Sequence, residues 1–230
     1  MSKTLYICGD SFCSSDPKYG DNWVDLLTLS YPNINIINLS SVGASNYLIY
    51  LQVKHALAHN CDYLIYNATS SVRQEFSLNS DTLIQSDNVS RYWNAALPSN
   101  DKSMICASWN TVAKNTANIL TIKKINIIQE FFKEAVDLPN LIEKNYIFIL
   151  FTLQLLDSTP NLTWAWSQGG FEHKSFNPTV TWDFSKYILH ECPINLWDEY
   201  DNTLIRPYYH ITDTNLIENV YIQYAKMLNL

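Results

Sequence analysis

Residues 4–12, TLYICGDSF, set the reading of the whole chain. Thr4 to Cys8 is a short apolar run that stops abruptly at Gly9-Asp10. A run of this length bounded by turn residues reads as a buried strand ending in a tight turn. Two further runs repeat the pattern: 34–39, INIINL, and 62–67, DYLIYN. Helical periodicity fills the spaces between them. In 21–30, DNWVDLLTLS, the apolar positions Trp23, Leu26 and Leu27 share a face with Ser30, and Asp21 or Asn22 is the cap. From Ser45 to His59 the face runs through Leu48, Leu51, His55 and Ala58.

Strand, helix, strand, helix, strand within the first 67 residues predicts an α/β fold. Nearly continuous apolar strands belong to a parallel sheet covered by helices on both faces. Right-handed crossovers then give a three-layer αβα arrangement, a doubly wound sheet of the flavodoxin-like kind. Functional groups in such folds collect at the carboxyl ends of the strands. The loops Gly9–Ser15, Ser40–Asn46 and Ala68–Arg73 lie there.

The 230 residues carry 15 Lys and Arg against 22 Asp and Glu, a net charge of −7. Only 16% of residues are charged, while 47% are hydrophobic and 13% aromatic. A disordered chain has the opposite balance. The acidic surplus also opposes nucleic-acid binding, which needs clustered Lys and Arg to displace counterions. No repeat or linker splits the sequence, so residues 1–230 read as one domain.

The five cysteines, Cys8, Cys13, Cys61, Cys106 and Cys192, are scattered and form no C-x-x-C pair. They read as small buried hydrophobes in a reducing compartment, with neither a disulfide framework nor a metal site. The opening MSKTLYICGDS has no basic stretch followed by an apolar run, so no secretory leader is expected. The most apolar segment, 146–156, YIFILFTLQLL, is too short for a bilayer, which takes about 20 residues. The expected location is cytoplasmic.

The middle of the chain is less regular. Residues 79–110 read as a polar lid or insertion. Thr111 to Glu134 reads as a long helix broken by Pro139, and Leu141 to Leu156 as another helix, with a strand inside its apolar run as the alternative. Residues 161–167, NLTWAWS, alternate and read as a fourth strand. Gln168 to Asp201 reads as loop. Trp164, Trp166, Trp182 and Trp197 crowd this part, and the core is the expected place for each. Thr212 to Leu228 is the closing helix, with Leu216, Val220, Tyr224, Met227 and Leu228 at helical spacing and Thr212 or Asp213 as cap.

Several residues are chemically pointed. Ser11 follows the first strand at a turn, where a hydroxyl is presented at the strand end. A serine needs a base and oxyanion donors before it becomes a nucleophile. An ordinary Asp/Ser turn is the plainer reading of Gly9-Asp10-Ser11 alone. Gly43 lets a backbone N–H approach a ligand closely, and Asn46 offers an amide or starts a helix. Thr69, Ser70, Ser71 and Arg73 bring hydroxyls and a cation to the same edge. His210, just before the last helix, suits a general base near neutral pH. His55 and His59 are spaced for a metal but lack a third ligand. No GxGxxG or GxxxxGK[ST] is present for a nucleotide.

Together these features resemble the SGNH/GDSL hydrolase family. The resemblance rests on Gly9-Asp10-Ser11, Gly43 and the late His210, and covers the first 75 residues and the last 25 or so. It is closest to the phage-type branch, through CGDSF followed by DxxY (Cys8 to Tyr19), GxSN (Gly43 to Asn46), the Thr/Ser…Arg loop (Thr69 to Arg73) and Tyr-His-x-Thr (Tyr209 to Thr212). The resemblance implies Ser11 as nucleophile and His210 as base, with oxyanion donors at the Ser11 and Gly43 N–H groups. Two departures stand out. The family's Gly-x-Asn-Asp block is replaced by Ala68-Thr69-Ser70-Ser71, leaving Asn46, or less favourably Asn67, to supply an amide. The family's Asp three residues before the His is Pro207 here, so Asp213 or Asp201 orients His210, or Ser11 and His210 act as a dyad.

The implied activity is hydrolysis of an ester, such as an O-acetyl group on a carbohydrate or small molecule, with Asp10, Thr69 and Arg73 as substrate-binding groups. No cofactor, metal, nucleic acid or membrane is implied. The phage-type likeness also implies a virion-associated protein or one made in an infected cell. The alternative is a catalytically weak or inactive SGNH-like protein that binds glycans or serves a structural role in phage.

Overall fold

The computed structural model describes residues 2–13, 22–41, 44–71, 73–77, 104–108, 130–131, 134–167, 183–194 and 214–230. Its main sheet has four parallel strands: β1 (Thr4–Cys8), β2 (Asn35–Asn38), β3 (Tyr63–Asn67) and, from late in the chain, Thr163–Ser167. The order is β2, β1, β3 and then the Thr163–Ser167 strand. The chain steps outward from β1 to β2, returns across β1 to β3, and continues in that direction. The switch therefore lies between β1 and β3, whose register pairs Leu5 with Tyr63 and Cys8 with Tyr66. A crevice at the carboxyl ends of two such strands is where α/β sheets place ligands.

The helices are α1 (Trp23–Ser30), α2 (Asn46–Leu57), α3 (Leu138–Asp157) and α4 (Thr214–Leu228). Strand alternation distributes the core between two clusters. Leu5, Ile7, Tyr63, Ile65 and Ala165 point to one side, where they meet α1 and α4. Tyr6, Cys8, Leu64, Tyr66, Trp164 and Trp166 point to the other, where they meet α2 and α3. A period of two thus reverses the face at every residue. The result is an α/β fold with a parallel sheet flanked by helices. Trp164 and Trp166 are core residues, as expected. Trp182 and Trp197 lie outside the described residues.

Helix starts follow local chemistry. Asn22, rather than Asp21, caps α1: its Oδ1 accepts from the Val24 and Asp25 N–H groups, and Asp25 Oδ2 accepts from the Asn22 N–H. That reciprocal pair is a capping box. Ser45 caps α2 by accepting from Leu48 N–H. Pro139, read as a breaker, instead sits in the first turn of α3. A missing N–H costs nothing there, because the first turn has no intrahelical acceptor for it.

Two readings of helical faces shift. On α1 the buried residues are Trp23, Val24 and Leu27, while Ser30 is exposed. On α2 they are Asn46, Leu48, Ile49, Gln52, Val53 and Ala56 rather than Leu51, His55 and Ala58. The buried face is rotated from the expected stripe and takes in the polar Gln52. The tertiary structure has a use for it.

A second, two-stranded antiparallel sheet pairs β4 (Arg73–Ser77) with β5 (Met104–Ser108). The strand β5 falls inside the stretch read as a lid. The Thr163–Ser167 strand is then β6. A short 3₁₀ turn, Ser185–His190, lies in the region read as loop. Most of the helix expected over 111–134, and the cap of α4, lie outside the described residues.

Candidate active site

Gly9 leaves β1 in a space only glycine fits. A Cβ there would lie 2.7 Å from Cys13 Sγ and 3.0 Å from Asn67 Cβ. Its N–H donates to Gln52 Oε1 at 2.8 Å, and its carbonyl accepts from Gln52 Nε2 at 3.3 Å and from Ser41 N–H at 3.1 Å. The buried Gln52 amide therefore acts as one more strand partner for Gly9. It satisfies the backbone where the sheet ladder ends.

The chain then turns. Asp10 Oδ1 accepts from Phe12 N–H at 3.0 Å, and the Asp10 carbonyl accepts from Cys13 N–H at 3.1 Å. An Asx turn inside a β-turn holds Ser11 at the tip. Ser11 is half-buried, whereas its neighbours Asp10 and Phe12 are buried. Trp23 Nε1 donates to the Phe12 carbonyl at 2.8 Å, and Asn38 Nδ2 to the Cys13 carbonyl at 2.8 Å. The turn is thus tied to both α1 and β2.

Behind the turn lies a ring of polar contacts. Thr69 Oγ1 and Arg73 Nη1 both donate to Asp10 Oδ2, the latter at 3.0 Å. Arg73 Nη1 also donates to the Ala44 carbonyl at 2.7 Å. Thr69 N–H donates to Asn46 Oδ1 at 2.9 Å, and Asn46 Nδ2 donates to the Thr69 carbonyl at 3.0 Å and to Asn145 Oδ1 at 3.2 Å. Asn145 Nδ2 closes the circuit on the Arg73 carbonyl at 3.1 Å and also bonds the Leu141 carbonyl at 2.9 Å. Asp10, Asn46 and Thr69 have no exposed surface, and the Arg73 side chain is 12% exposed. An ion pair so enclosed depends on such added hydrogen bonds to offset its desolvation.

Ser11 stands at the carboxyl end of β1, and Thr69 from the loop after β3 and Arg73 at the start of β4 meet the adjacent Asp10. Asp10 and Thr69, read as substrate-binding groups, are spent on each other. Both amide hydrogens of Asn46, read as an oxyanion donor, are taken by Thr69 and Asn145. Gly43, His210, Asp201 and Asp213 lie outside the described residues.

Gln52 and Asn145 belong to no motif in the sequence. The one signal for Gln52 is a polar residue inside an apolar helical stripe. Asn145 gives no local signal, since its partners are 72 and 99 positions away. Asn67 is buried and accepts from Ser167 Oγ.

Neither a family model nor a curated protein matches the chain. Function must therefore be argued from the site itself.

Thiol chemistry has little support there. Burial pushes the Cys13 thiol well above its ordinary value, the Asp10 charge pushes it further, and the Asn67 amide only partly offsets them. Such a thiol stays protonated and is a poor nucleophile. Among the described residues no group of three His, Cys, Asp or Glu is placed to hold a metal. The His55 and His59 ring centroids lie 4.0 Å apart with the planes tilted by 31°, and His59 Nδ1 lies 2.7 Å from the His55 carbonyl. His190, unassigned in the sequence, stacks on Trp164 at 4.0 Å. No helix of the described residues is long and apolar enough to cross a membrane.

Proposed function

We propose that this protein is a serine esterase of the SGNH type, acting on an ester such as an O-acetyl group of a carbohydrate or small molecule. The observation that carries the reading is Ser11 at the tip of a braced turn, half-buried, at the carboxyl end of β1 where the strand order reverses beside β3. Ser11 Oγ attacks the acyl carbonyl carbon while His210 takes the hydroxyl proton. The carbonyl π pair moves onto oxygen, where the Ser11 and Gly43 N–H groups stabilise it. Collapse expels the alcohol oxygen, which takes the proton from His210. Water then attacks the acyl-serine by the same route, releasing the acid and restoring Ser11.

Hydrolysis of p-nitrophenyl acetate and labelling by a fluorophosphonate test the reading. The wild type is expected to hydrolyse and to label at Ser11, and Ser11→Ala to lose both by at least ~10³-fold. Equal rates in the two proteins would sink it.

Two observations favour a second reading, a weak enzyme or a glycan-binding module. Asn46 has no amide hydrogen left for an oxyanion, and Pro207 stands where the family's orienting Asp is expected. Glycan binding without fluorophosphonate labelling would favour that reading.

A further inference from the structure

We infer that Arg73 is a positioning residue that sets the spacing between the Ser11 turn and the start of α2, rather than a substrate-binding group. The inference rests on the esterase reading, since the spacing matters because oxyanion donors are expected on both sides of it.

A single nitrogen makes the link. Arg73 Nη1 has two hydrogens, and one goes to Asp10 Oδ2 at 3.0 Å and the other to the Ala44 carbonyl at 2.7 Å. The two N–H bonds of a guanidinium nitrogen lie in one plane at a fixed angle. Asp10 and Ala44 are thereby held to one vertex. Asp10 precedes Ser11 in the chain, and Ala44 follows Gly43. The other carboxylate oxygen of Asp10 accepts from Phe12 N–H. A shift of the guanidinium is thus passed to the backbone on both sides of Ser11.

Arg73 is itself fixed from behind. Its carbonyl accepts from Asn145 Nδ2, and Asn145 is buried on α3. Thr69 fills the remaining approach to Asp10 Oδ2. A group meant to take substrate would present its charge to solvent, whereas this one is mostly enclosed and its Nη1 is fully used. Oxyanion donors must lie within about 2.7–3.1 Å of the developing charge. A misplacement on the order of 1 Å can cost about 10²-fold in rate.

The test compares wild type with Arg73→Lys. This variant keeps the charge opposite Asp10 but loses the planar two-pronged nitrogen. Rates are expressed per fluorophosphonate-titrated site, so misfolded molecules do not enter. We expect kcat per site to fall by about 10- to 100-fold with KM within about threefold. Unchanged kcat per site, with only fewer titratable sites or a lower Tm, would make Arg73 a purely structural residue and overturn the inference. A large rise in KM at constant kcat would make it a substrate-binding residue and would overturn the inference equally. A wild type that neither labels nor turns over removes the esterase reading instead. The positioning claim then stands on amide exchange, read by NMR on the full chain. In Arg73→Lys the Phe12 amide is expected to exchange at least about 10-fold faster while the Gly9 amide, held by Gln52, keeps its rate. Equal protection of Phe12 in both proteins would overturn the claim.

Discussion

The two ends of strand β1 are held by different means. At the amino end, Lys3 Nζ donates to Tyr63 OH at 2.6 Å, and Asp62 Oδ2 accepts from Thr4 N–H at 2.8 Å in an exposed position. Water can replace each of these bonds. At the carboxyl end, Gly9 and Asp10 are buried and bonded by Gln52, Thr69 and the mostly enclosed Arg73. The amino end is a surface and the carboxyl end is a mount. A fold has no need to enclose an ion pair for stability, because hydrophobic packing serves as well or better. An enclosed pair directly behind a half-buried serine therefore says more about position than about stability.

The contrast between the two ends of β1 can fail in four ways. Asp10→Asn leaves the mostly enclosed Arg73 without its counter-charge. It is expected to cost about 3 kcal/mol in urea denaturation, and a loss below about 1 kcal/mol would contradict the mount. Next, Gly9→Ala forces a methyl against Cys13 Sγ and Asn67 Cβ. A cost of about 2 kcal/mol is expected, with partial recovery in Gly9→Ala/Cys13→Ala. No recovery would show that Cys13 is not the obstacle.

The third way is alkaline pH. Burial pushes the Cys61 thiol from its ordinary 9.0 to about 12, and holds Cys8, Cys13 and Tyr224 well above their usual ranges. Above pH 9 the unfolded chain loses thiol protons that the folded chain keeps. Stability is then full below pH 9 and declines as the pH climbs toward 12. Urea midpoints at pH 8, 9.5 and 10.5 should fall in that order, and a flat series would contradict the buried thiols. The smallest effect belongs to the amino end. Asp62→Asn is expected to cost less than about 1 kcal/mol, and a larger loss would erase the contrast between the two ends.

Much of the sheet is legible from residue order. Strands β1, β2, β3 and β6 are apolar runs bounded by turn residues, and each forms within two residues of its expected limits. Strands β4 and β5 are not legible, because among the described residues each pairs only with the other, across a long connection. Nothing within Met104–Ser108 advertises that partner. The helical faces are half legible: Leu48 lies on the expected stripe of α2, but packing on the sheet selects a face rotated to Ile49, Gln52, Val53 and Ala56. At the site, the turn and Ser11 are visible as a local motif. The fate of Asn46, Asp10 and Thr69 is not, because the same side chains could equally have faced solvent.

Residue order alone specifies the strands of the main sheet and the helices between them, because strand and helix periods are local and written in adjacent residues. The order of the strands beyond the first three, and the closed ring of Asp10, Thr69, Asn46, Asn145 and Arg73, were decided only by the tertiary structure. The long bonds of that ring join residues 23 to 99 positions apart. A polar side chain states what it can bond to, and only the packed fold states what it meets.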